Sequence, residues 1–118
     1  MKLNGKTAVI IGGTGDIGQA TARLFLEAGA SVIITGRMAP RVTETAESLG
    51  TKAHGIAADP GDEGQLCRLF EETGSFDYLL LTLGTQALTM PFTQLPEEQL
   101  LQGMNEKFLF YTRVLRCA

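Results

Sequence analysis

The chain has 118 residues, of which 44% are hydrophobic, and a formal net charge of -3 at pH 7, so we expect one compact domain over residues 1–118. The acidic balance and the scattered Lys and Arg residues give no basic surface that would attract nucleic acid. No apolar run approaches the roughly 20 residues that a membrane span needs, and the first residues lack the apolar centre of a signal peptide, so we expect a cytoplasmic protein without a membrane partner.

Strands and helices are predicted to alternate along the chain. Short runs of β-branched or large apolar residues predict strands, and apolar residues at helical spacing predict the helices between them. The predicted elements are strand 7–11, helix 17–28, strand 31–35, helix 41–49, strand 52–58, helix 63–73, strand 77–83 and a helix over 96–118. Because parallel neighbours need crossover connections, this order predicts an α/β fold, a doubly wound Rossmann-type parallel sheet of about four strands.

The fourth predicted strand, 77–83, is the most apolar of the four. It is continuous in large apolar residues, which is typical of a parallel strand covered by helices on both faces. We therefore expect this strand to be central in the complete sheet, so that its far edge needs a partner.

The cysteines and the histidine do not form a metal-binding or redox motif. Cys67 and Cys117 lie far apart and make no C-x-x-C pair, so the simplest prediction is two reduced thiols. His54 has no second histidine beside it, and we expect it to have a structural or surface role.

Four glycines follow the first predicted strand within seven residues, in the stretch GGTGDIG at 12–18. The stretch fits G-x-G-x-x-G from Gly13 and G-x-x-G-x-x-G from Gly12. Such glycines permit a tight turn and let the backbone approach a pyrophosphate, whose charge sits on the free N–H groups at the helix start. A glycine turn without a ligand is the alternative, but the position between strand and helix favours a dinucleotide site. The predicted cofactor-binding residues of this turn are Gly12, Gly13, Thr14, Gly15, Asp16, Ile17 and Gly18.

The end of the second predicted strand indicates which dinucleotide is bound. An acidic residue about 20 positions after the turn would hold the ribose 2'-hydroxyl of NAD, whereas an Arg accommodates the 2'-phosphate of NADP. Here the strand ends in Arg37, whose guanidinium offers paired planar donors to a phosphate. We predict NADP rather than NAD; the alternative for Arg37 is a solvated surface arginine.

These residues together resemble the short-chain dehydrogenase/reductase family, and the similarity covers almost the whole chain. It includes the glycine turn, Arg37, Asp59 after the third strand, strand 77–83 with Gly84, and Asn105. In that family the Asp at the position of Asp59 receives the adenine amino group, and a turn carboxylate opening Asp-Pro-Gly is the alternative. Because Pro60 has no N–H, a backbone contact to adenine that is common in the family should be missing.

The sequence departs from the family pattern at two places. Asp16 stands where the main branch has a motif glycine, and its charge would repel a pyrophosphate unless the side chain points away. The family's fourth strand ends in Asn-Asn-Ala-Gly, whereas 81–84 reads Leu-Thr-Leu-Gly, so only Gly84 matches. The resemblance implies that Gly84 lines the cofactor cleft and that Asn105 maintains a proton-relay water; an ordinary polar helix residue is the alternative for Asn105.

The family's catalytic residues have no match here. The resemblance implies an NADP-dependent oxidoreductase that transfers hydride between nicotinamide and a small carbonyl or alcohol substrate, with a Ser and a Tyr-x-x-x-Lys pair. Tyr78 lies in a predicted strand, and Tyr111 is followed by Leu115 where the Lys would stand. Since the family places these residues beyond the last helix of this chain, we expect the cofactor half of such an enzyme, catalytically incomplete.

A non-catalytic module that binds a dinucleotide or mediates association is the alternative to the enzyme half. The last predicted helix is strongly apolar, which is consistent with burial against another helix, and in the family this helix often joins dimer interfaces. We therefore expect a homodimer or a higher homo-oligomer.

Overall fold

The computed structural model describes residues 2–83 and 90–118 and contains four strands and the helices between them. In chain order the elements are β1 (Thr7–Ile11), α1 (Asp16–Glu27), β2 (Ser31–Gly36), α2 (Ala39–Leu49), β3 (Ala53–Ala57), α3 (Glu63–Thr73), β4 (Tyr78–Leu81), a 3-10 turn (Phe92–Gln94), α4 (Glu97–Met104), a π-helical turn (Asn105–Leu109) and α5 (Phe110–Cys117). Among the helices of these residues, none is long and apolar enough to cross a membrane.

The four strands form one parallel sheet in the order β3-β2-β1-β4. Val9 of β1 lies opposite Ile33 of β2 on one side and Leu79 of β4 on the other. The predicted α/β, Rossmann-type parallel sheet is therefore confirmed.

Helices cover both faces of this sheet, because side chains along each strand alternate between the two faces. One buried cluster joins β1 and β2 to α1 and α2; its members are Ala8, Ile10, Ala22, Val32, Ile34, Val42 and Ala46. A second cluster lies on the opposite face with α3 and α5; its members are Val9, Ile11, Ala58, Leu66, Leu69, Phe70 and Val114. Side chains at even and odd positions of β1 thus pack into two different cores, one on each face of the sheet, which is the doubly wound arrangement.

Strand β4 occupies the edge of the described sheet rather than its centre. It pairs with β1, and within residues 2–83 and 90–118 no strand lies on its other side. Tyr78 is 39% exposed and the other residues of β4 are half-buried, whereas Ala8 to Ile11 of β1 are fully buried. The apolar character of β4 is therefore not matched by burial within the described part of the chain.

The C-terminal helical segment is interrupted rather than continuous. The sequence predicts one helix over 96–118, but the structure inserts a π-helical turn at Asn105–Leu109 between α4 and α5. A π turn adds one residue to the helical repeat and so rotates the face that follows it. Position along a regular helix repeat consequently does not identify which residues of 105–117 face the sheet.

A disulfide joins Cys67 of α3 to Cys117 of α5, so the prediction of two reduced thiols is wrong. The two Cα atoms are 4.8 Å apart although the residues are 50 positions apart in sequence. Both helices pack on the same face of the sheet, and an ion pair between Arg116 and Glu63 at 2.9 Å lies in the same contact. The tertiary packing, which the spacing of the cysteines does not reveal, brings the sulfurs together.

Candidate cofactor-binding site

A cleft with a cavity of about 280 Å³ opens at the carboxyl ends of the strands. It is lined by the glycine turn after β1, the end of β2, the segment after β3, the end of β4 and the C-terminal helical segment. The chain leaves β1 toward β2 on one side, while β4 lies on the other side, so the strand order reverses here. Ligands of open α/β sheets bind at such a switch point.

Three glycines of the turn are required by the fold itself. Gly12 has a φ of +89°, in the left-handed region that favours glycine. A Cβ on Gly18 would lie 2.5 Å from the carbonyl oxygen of Gly12, and one on Gly13 would lie 2.6 Å from Cβ of Ile34. Gly12 makes the turn, and Gly13 and Gly18 let it pack against β2 and α1.

Gly15 differs from the other glycines because the protein leaves space around it. Its φ is -78°, and the nearest atom to an added Cβ would be the carbonyl oxygen of Gly12 at 3.7 Å. Gly15 is exposed, lines the cleft and is the N-cap of α1. The first N–H groups of a helix have no partner within it. Gly15 therefore gives access from the cleft to donors suited to a pyrophosphate.

Asp16 and Ile17 belong to the first turn of α1 and are exposed, with Ile17 at 73%. Neither is among the described residues that line the cleft. The carboxylate of Asp16 is thus part of the outer surface of the turn. A charge placed there is screened by solvent and acts only weakly on an anion in the cleft.

Two side chains hold the carbonyl group of Thr14, which lines the cleft beside Gly15. Gln19 donates from Nε2 to this oxygen at 2.8 Å, and Arg41 donates from Nη2 at 3.2 Å. Arg37 follows β2 directly, is exposed and lines the same cleft. The structure therefore brings Arg37 and the glycine turn together, and Arg41 is a neighbour that the sequence analysis missed.

At the adenine end expected from the family, Asp59 closes a turn. Its Oδ1 accepts a hydrogen bond from the N–H of Gly61 at 2.8 Å, and its own N–H donates to Oε1 of Gln65 at 3.0 Å. Ala58 and Pro60 line the described cleft, and Asp59 does not. The geometry matches the turn-carboxylate alternative, while an adenine contact of Asp59 stays a prediction.

Thr82 links the two sides of the cleft and was missed as a site residue. Its hydroxyl lies within hydrogen-bonding distance of the carbonyl oxygens of Ile11 at 3.0 Å and Gly12 at 3.1 Å, to which it donates. Its own N–H donates to the same Ile11 oxygen at 2.9 Å. The sequence signal that could have identified Thr82 is a single threonine at the end of an otherwise apolar predicted strand.

The C-terminal helical segment forms the far wall of the cleft through Glu106 and Phe110. Asn105 is half-buried at the start of the π turn and is not among the described lining residues. The segment that follows β4 is fixed to these helices because the carbonyl of Leu83 accepts hydrogen bonds from Lys107 Nζ at 2.7 Å and from Tyr111 Oη at 3.1 Å. Gly84, the predicted lining residue that comes next, lies outside the described residues.

The described residues contain no group of three or more His, Cys, Asp or Glu side chains that could hold a metal ion. His54 is exposed on β3, away from the cleft. Toward the glycine turn and β2 the cleft offers backbone N–H donors, the guanidinium of Arg37 and apolar surface, while the carboxylate of Glu106 lies on its far wall. That set suits a phosphorylated ligand with a flat apolar group.

Comparison with known proteins places the fold and the cleft in a family. The model of the short chain dehydrogenase family matches residues 6–109. Oxidoreductase asL5 of Sarocladium schorii is 34% identical over 117 residues, which cover 94% of this chain and 47% of that protein. The NADP-dependent (R)-specific alcohol dehydrogenase of Lentilactobacillus kefiri is 40% identical over 74 residues, covering 61% of this chain and 29% of that protein.

The solved structures agree with the sequence comparisons. A short chain dehydrogenase/reductase family protein superposes with a TM-score of 0.89 at 29% identity, over 100% of this chain and 50% of that one. The chain thus spans about half the length, or less, of the relatives that it matches. A family model that covers most of the chain, together with the glycine turn at the switch point, shows that this chain belongs to the short-chain dehydrogenase/reductase family of oxidoreductases.

Proposed function

We propose that the cleft binds NADP(H) and that the chain is the cofactor-binding part of an oxidoreductase acting on a small carbonyl or alcohol substrate. The observation that carries the proposal is Arg37, which follows β2 at the rim of the cleft. The end of β2, at 35–37, is where an acidic residue would be needed to hold the 2'-hydroxyl of NAD. A guanidinium there favours a 2'-phosphate through charge and paired N–H donors.

The residues present fit a dinucleotide. The exposed, uncrowded Gly15 at the start of α1 would admit the pyrophosphate to the helix N–H groups, and Ala58, Pro60 and Phe110 offer apolar surface to the adenine. Bound nicotinamide would supply the hydride donor or acceptor. The similar alcohol dehydrogenase of Lentilactobacillus kefiri is NADP-dependent, which supports this choice of dinucleotide.

We further propose that the chain binds the dinucleotide without turnover. Tyr111 donates its hydroxyl hydrogen to the carbonyl of Leu83, and Lys107 lies four positions before it rather than after it. Tyr78 lies in β4 with Thr82 four positions later. Neither tyrosine therefore has the downstream lysine that a proton donor of this family needs, and the water-holding role of Asn105 stays a prediction.

Isothermal titration with NADPH and NADH tests the proposal. We expect NADPH to bind about tenfold more tightly than NADH, since one charge-assisted contact to the extra phosphate corresponds to a factor of this size. Incubation of the chain with NADPH and a set of small aldehydes and ketones should leave the reduced cofactor unchanged. Equal affinities, or tighter binding of NADH, would contradict the NADP assignment, and cofactor oxidation would contradict the absence of turnover.

A second function, self-association, is supported by the surface of the C-terminal helical segment. Four large apolar side chains there are about 60% exposed or more, which is unusual for one helical segment; they are Leu101, Met104, Phe108 and Leu115. We propose that a second copy of the chain covers this surface, in a homodimer or higher oligomer.

Sedimentation velocity at micromolar concentration tests the association. We expect the wild type to sediment as a dimer or larger species and Phe108→Glu to sediment as a monomer, because a charge in an apolar interface is costly. Phe92→Glu is the matched control, since Phe92 is 77% exposed but lies in the 3-10 turn. A monomeric wild type would overturn the association, and an associating chain that binds no dinucleotide would favour the non-catalytic module.

A further inference from the structure

Arg41 reaches the glycine turn from a different element. It is the third residue of α2, and its Nη2 donates to the carbonyl oxygen of Thr14 at 3.2 Å across 27 positions of sequence. A Cβ on Gly36 would lie 3.1 Å from Cγ2 of Thr14 and 3.0 Å from Cγ2 of Val42. The glycine turn, the end of β2 and the start of α2 therefore meet in one corner of the cleft.

The Thr14 carbonyl does not depend on Arg41 for a partner. Gln19 already donates to this oxygen over a shorter distance, 2.8 Å. A guanidinium carries five N–H donors in a planar fork, and the bond to Thr14 uses one of them. Arg41 is exposed at this corner. Most of its donors thus stay available to a ligand.

The guanidinium groups of Arg37 and Arg41 take no part in the ion pairs of the described residues. The two ion pairs recorded among the described residues join Lys6 to Asp77 and Arg116 to Glu63, so neither involves Arg37 or Arg41. The first turn of α2 contains no acidic residue. Arg37 lines the cleft, and Arg41, which is not among the described lining residues, adjoins it at the Thr14 carbonyl; neither guanidinium has a carboxylate partner in these ion pairs.

We propose that Arg41 is a second ligand of the 2'-phosphate of NADP, acting together with Arg37. The inference rests on the proposed function and extends it to a residue that determines cofactor specificity. A phosphate monoester carries roughly -1.5 to -2 charges near neutral pH and three acceptor oxygens, so one guanidinium leaves part of its charge unbalanced. Arg41 supplies the second cation while its contact with Thr14 keeps it beside the turn.

A purely structural role for Arg41 makes a different prediction. If Arg41 acts only by holding the Thr14 carbonyl, its loss disturbs the pyrophosphate-binding turn, which NADPH and NADH share. Both dinucleotides would then lose affinity by the same factor. Gln19 holds the same carbonyl from within α1 and carries no charge, so Gln19→Met reports this structural effect by itself.

The test is calorimetric titration of NADPH and NADH into the wild type and into the Arg41→Gln, Arg41→Lys, Arg37→Gln and Gln19→Met variants. We expect Arg41→Gln to weaken NADPH binding about tenfold and NADH binding less than about twofold, because only the 2'-phosphate contact is lost. Arg41→Lys should retain most of the NADPH affinity. Gln19→Met should weaken both dinucleotides equally, and circular dichroism should give the same folded spectrum for all variants.

The outcomes separate this inference from the proposed function. An Arg41→Gln variant with an unchanged ratio of NADPH to NADH affinity, beside an Arg37→Gln variant that loses its preference, overturns the role of Arg41 and leaves the NADP assignment standing. A wild type without preference for NADPH overturns both.

Discussion

The two sides of the cleft are built differently. On the side of β1 and β2, the residues Ala8 to Ile11 are fully buried, and Gly13 and Gly18 have no room for a side chain. On the side of β4 and the C-terminal helical segment, Tyr78 is 39% exposed and Phe108 is 64% exposed. The side of β1 and β2, called the packed side below, is buried like a core, whereas the opposite side, called the exposed side, presents apolar side chains to solvent.

This difference follows from how far apart in sequence the contacting residues are. The strand, glycine turn and helix of the packed side are consecutive in the chain, so local sequence specifies all three. The other side combines β4 with helices from later in the chain, held through contacts such as Lys107 to the Leu83 carbonyl. The first side is therefore set mainly by neighbouring segments of the chain, whereas the second depends on longer-range contacts.

The largest effect on stability is expected from the disulfide, which links α5 of the C-terminal helical segment to α3. Reduction of Cys67–Cys117 should lower the free energy of unfolding by about 2–4 kcal/mol, because the bond closes a long loop in the unfolded chain. Urea unfolding with and without dithiothreitol measures this. The double variant Cys67→Ser, Cys117→Ser should match the reduced wild type and ignore the reductant. A wild-type curve that does not respond to the reductant would show that the bond does not contribute.

The next largest effect is expected on the packed side, from Gly18→Ala. The new Cβ would lie 2.5 Å from the Gly12 carbonyl oxygen, so the helix start or the turn must shift. Overpacking of this kind costs about 1–3 kcal/mol, and urea unfolding followed by circular dichroism measures it. Gly13→Ala, with its Cβ 2.6 Å from Ile34, should cost a similar amount. A stability like that of the wild type would mean that the packed side is less rigid than its contacts indicate.

The sequence predicted the packed side well, because its signals are local. The alternation of strands and helices predicted all four strands and their parallel orientation, and the glycine spacing located the turn between the first strand and the first helix; the strand order came from the structure. Boundaries shifted by a few residues: α2 begins at Ala39 rather than 41, and β4 covers Tyr78–Leu81 rather than 77–83.

The features that the sequence did not predict all depend on tertiary contacts. Thr82 bonds to Ile11 across 71 positions, Arg41 to Thr14 across 27, and Cys67 to Cys117 across 50. The family pattern shows that its asparagines are missing at 81–84. It does not show that a threonine hydroxyl joins the strands at the same place. The π turn likewise breaks the regular repeat on which helix-face arguments rely.

Thr82→Val tests the contact between the two sides of the cleft, where the Thr82 hydroxyl meets the end of β1. The substitution removes the hydroxyl that reaches the carbonyls of Ile11 and Gly12 and keeps the shape of the side chain. We expect a loss of about 1 kcal/mol in the free energy of unfolding, measured in urea, because one net hydrogen bond disappears. Thr82→Ser keeps the donor and is the matched control. Valine keeps the methyl group that serine lacks, so a loss in Thr82→Ser without a loss in Thr82→Val would assign the effect to the methyl group instead of the hydroxyl.

The smallest effect on stability is expected from Gly15→Ala, although it lies in the same turn as Gly18. The nearest atom to its added Cβ is 3.7 Å away, an ordinary contact, so the free energy of unfolding should change by less than about 1 kcal/mol. The methyl group would instead occupy space at the lining of the cleft, and NADPH and NADH should lose affinity by the same factor because they share the pyrophosphate. This equal loss contrasts with the selective loss expected for Arg41→Gln. A Gly15→Ala variant that loses as much stability as Gly18→Ala but keeps its affinity for both dinucleotides would show that the whole turn serves packing alone. Gly15 would then have no separate role in ligand access.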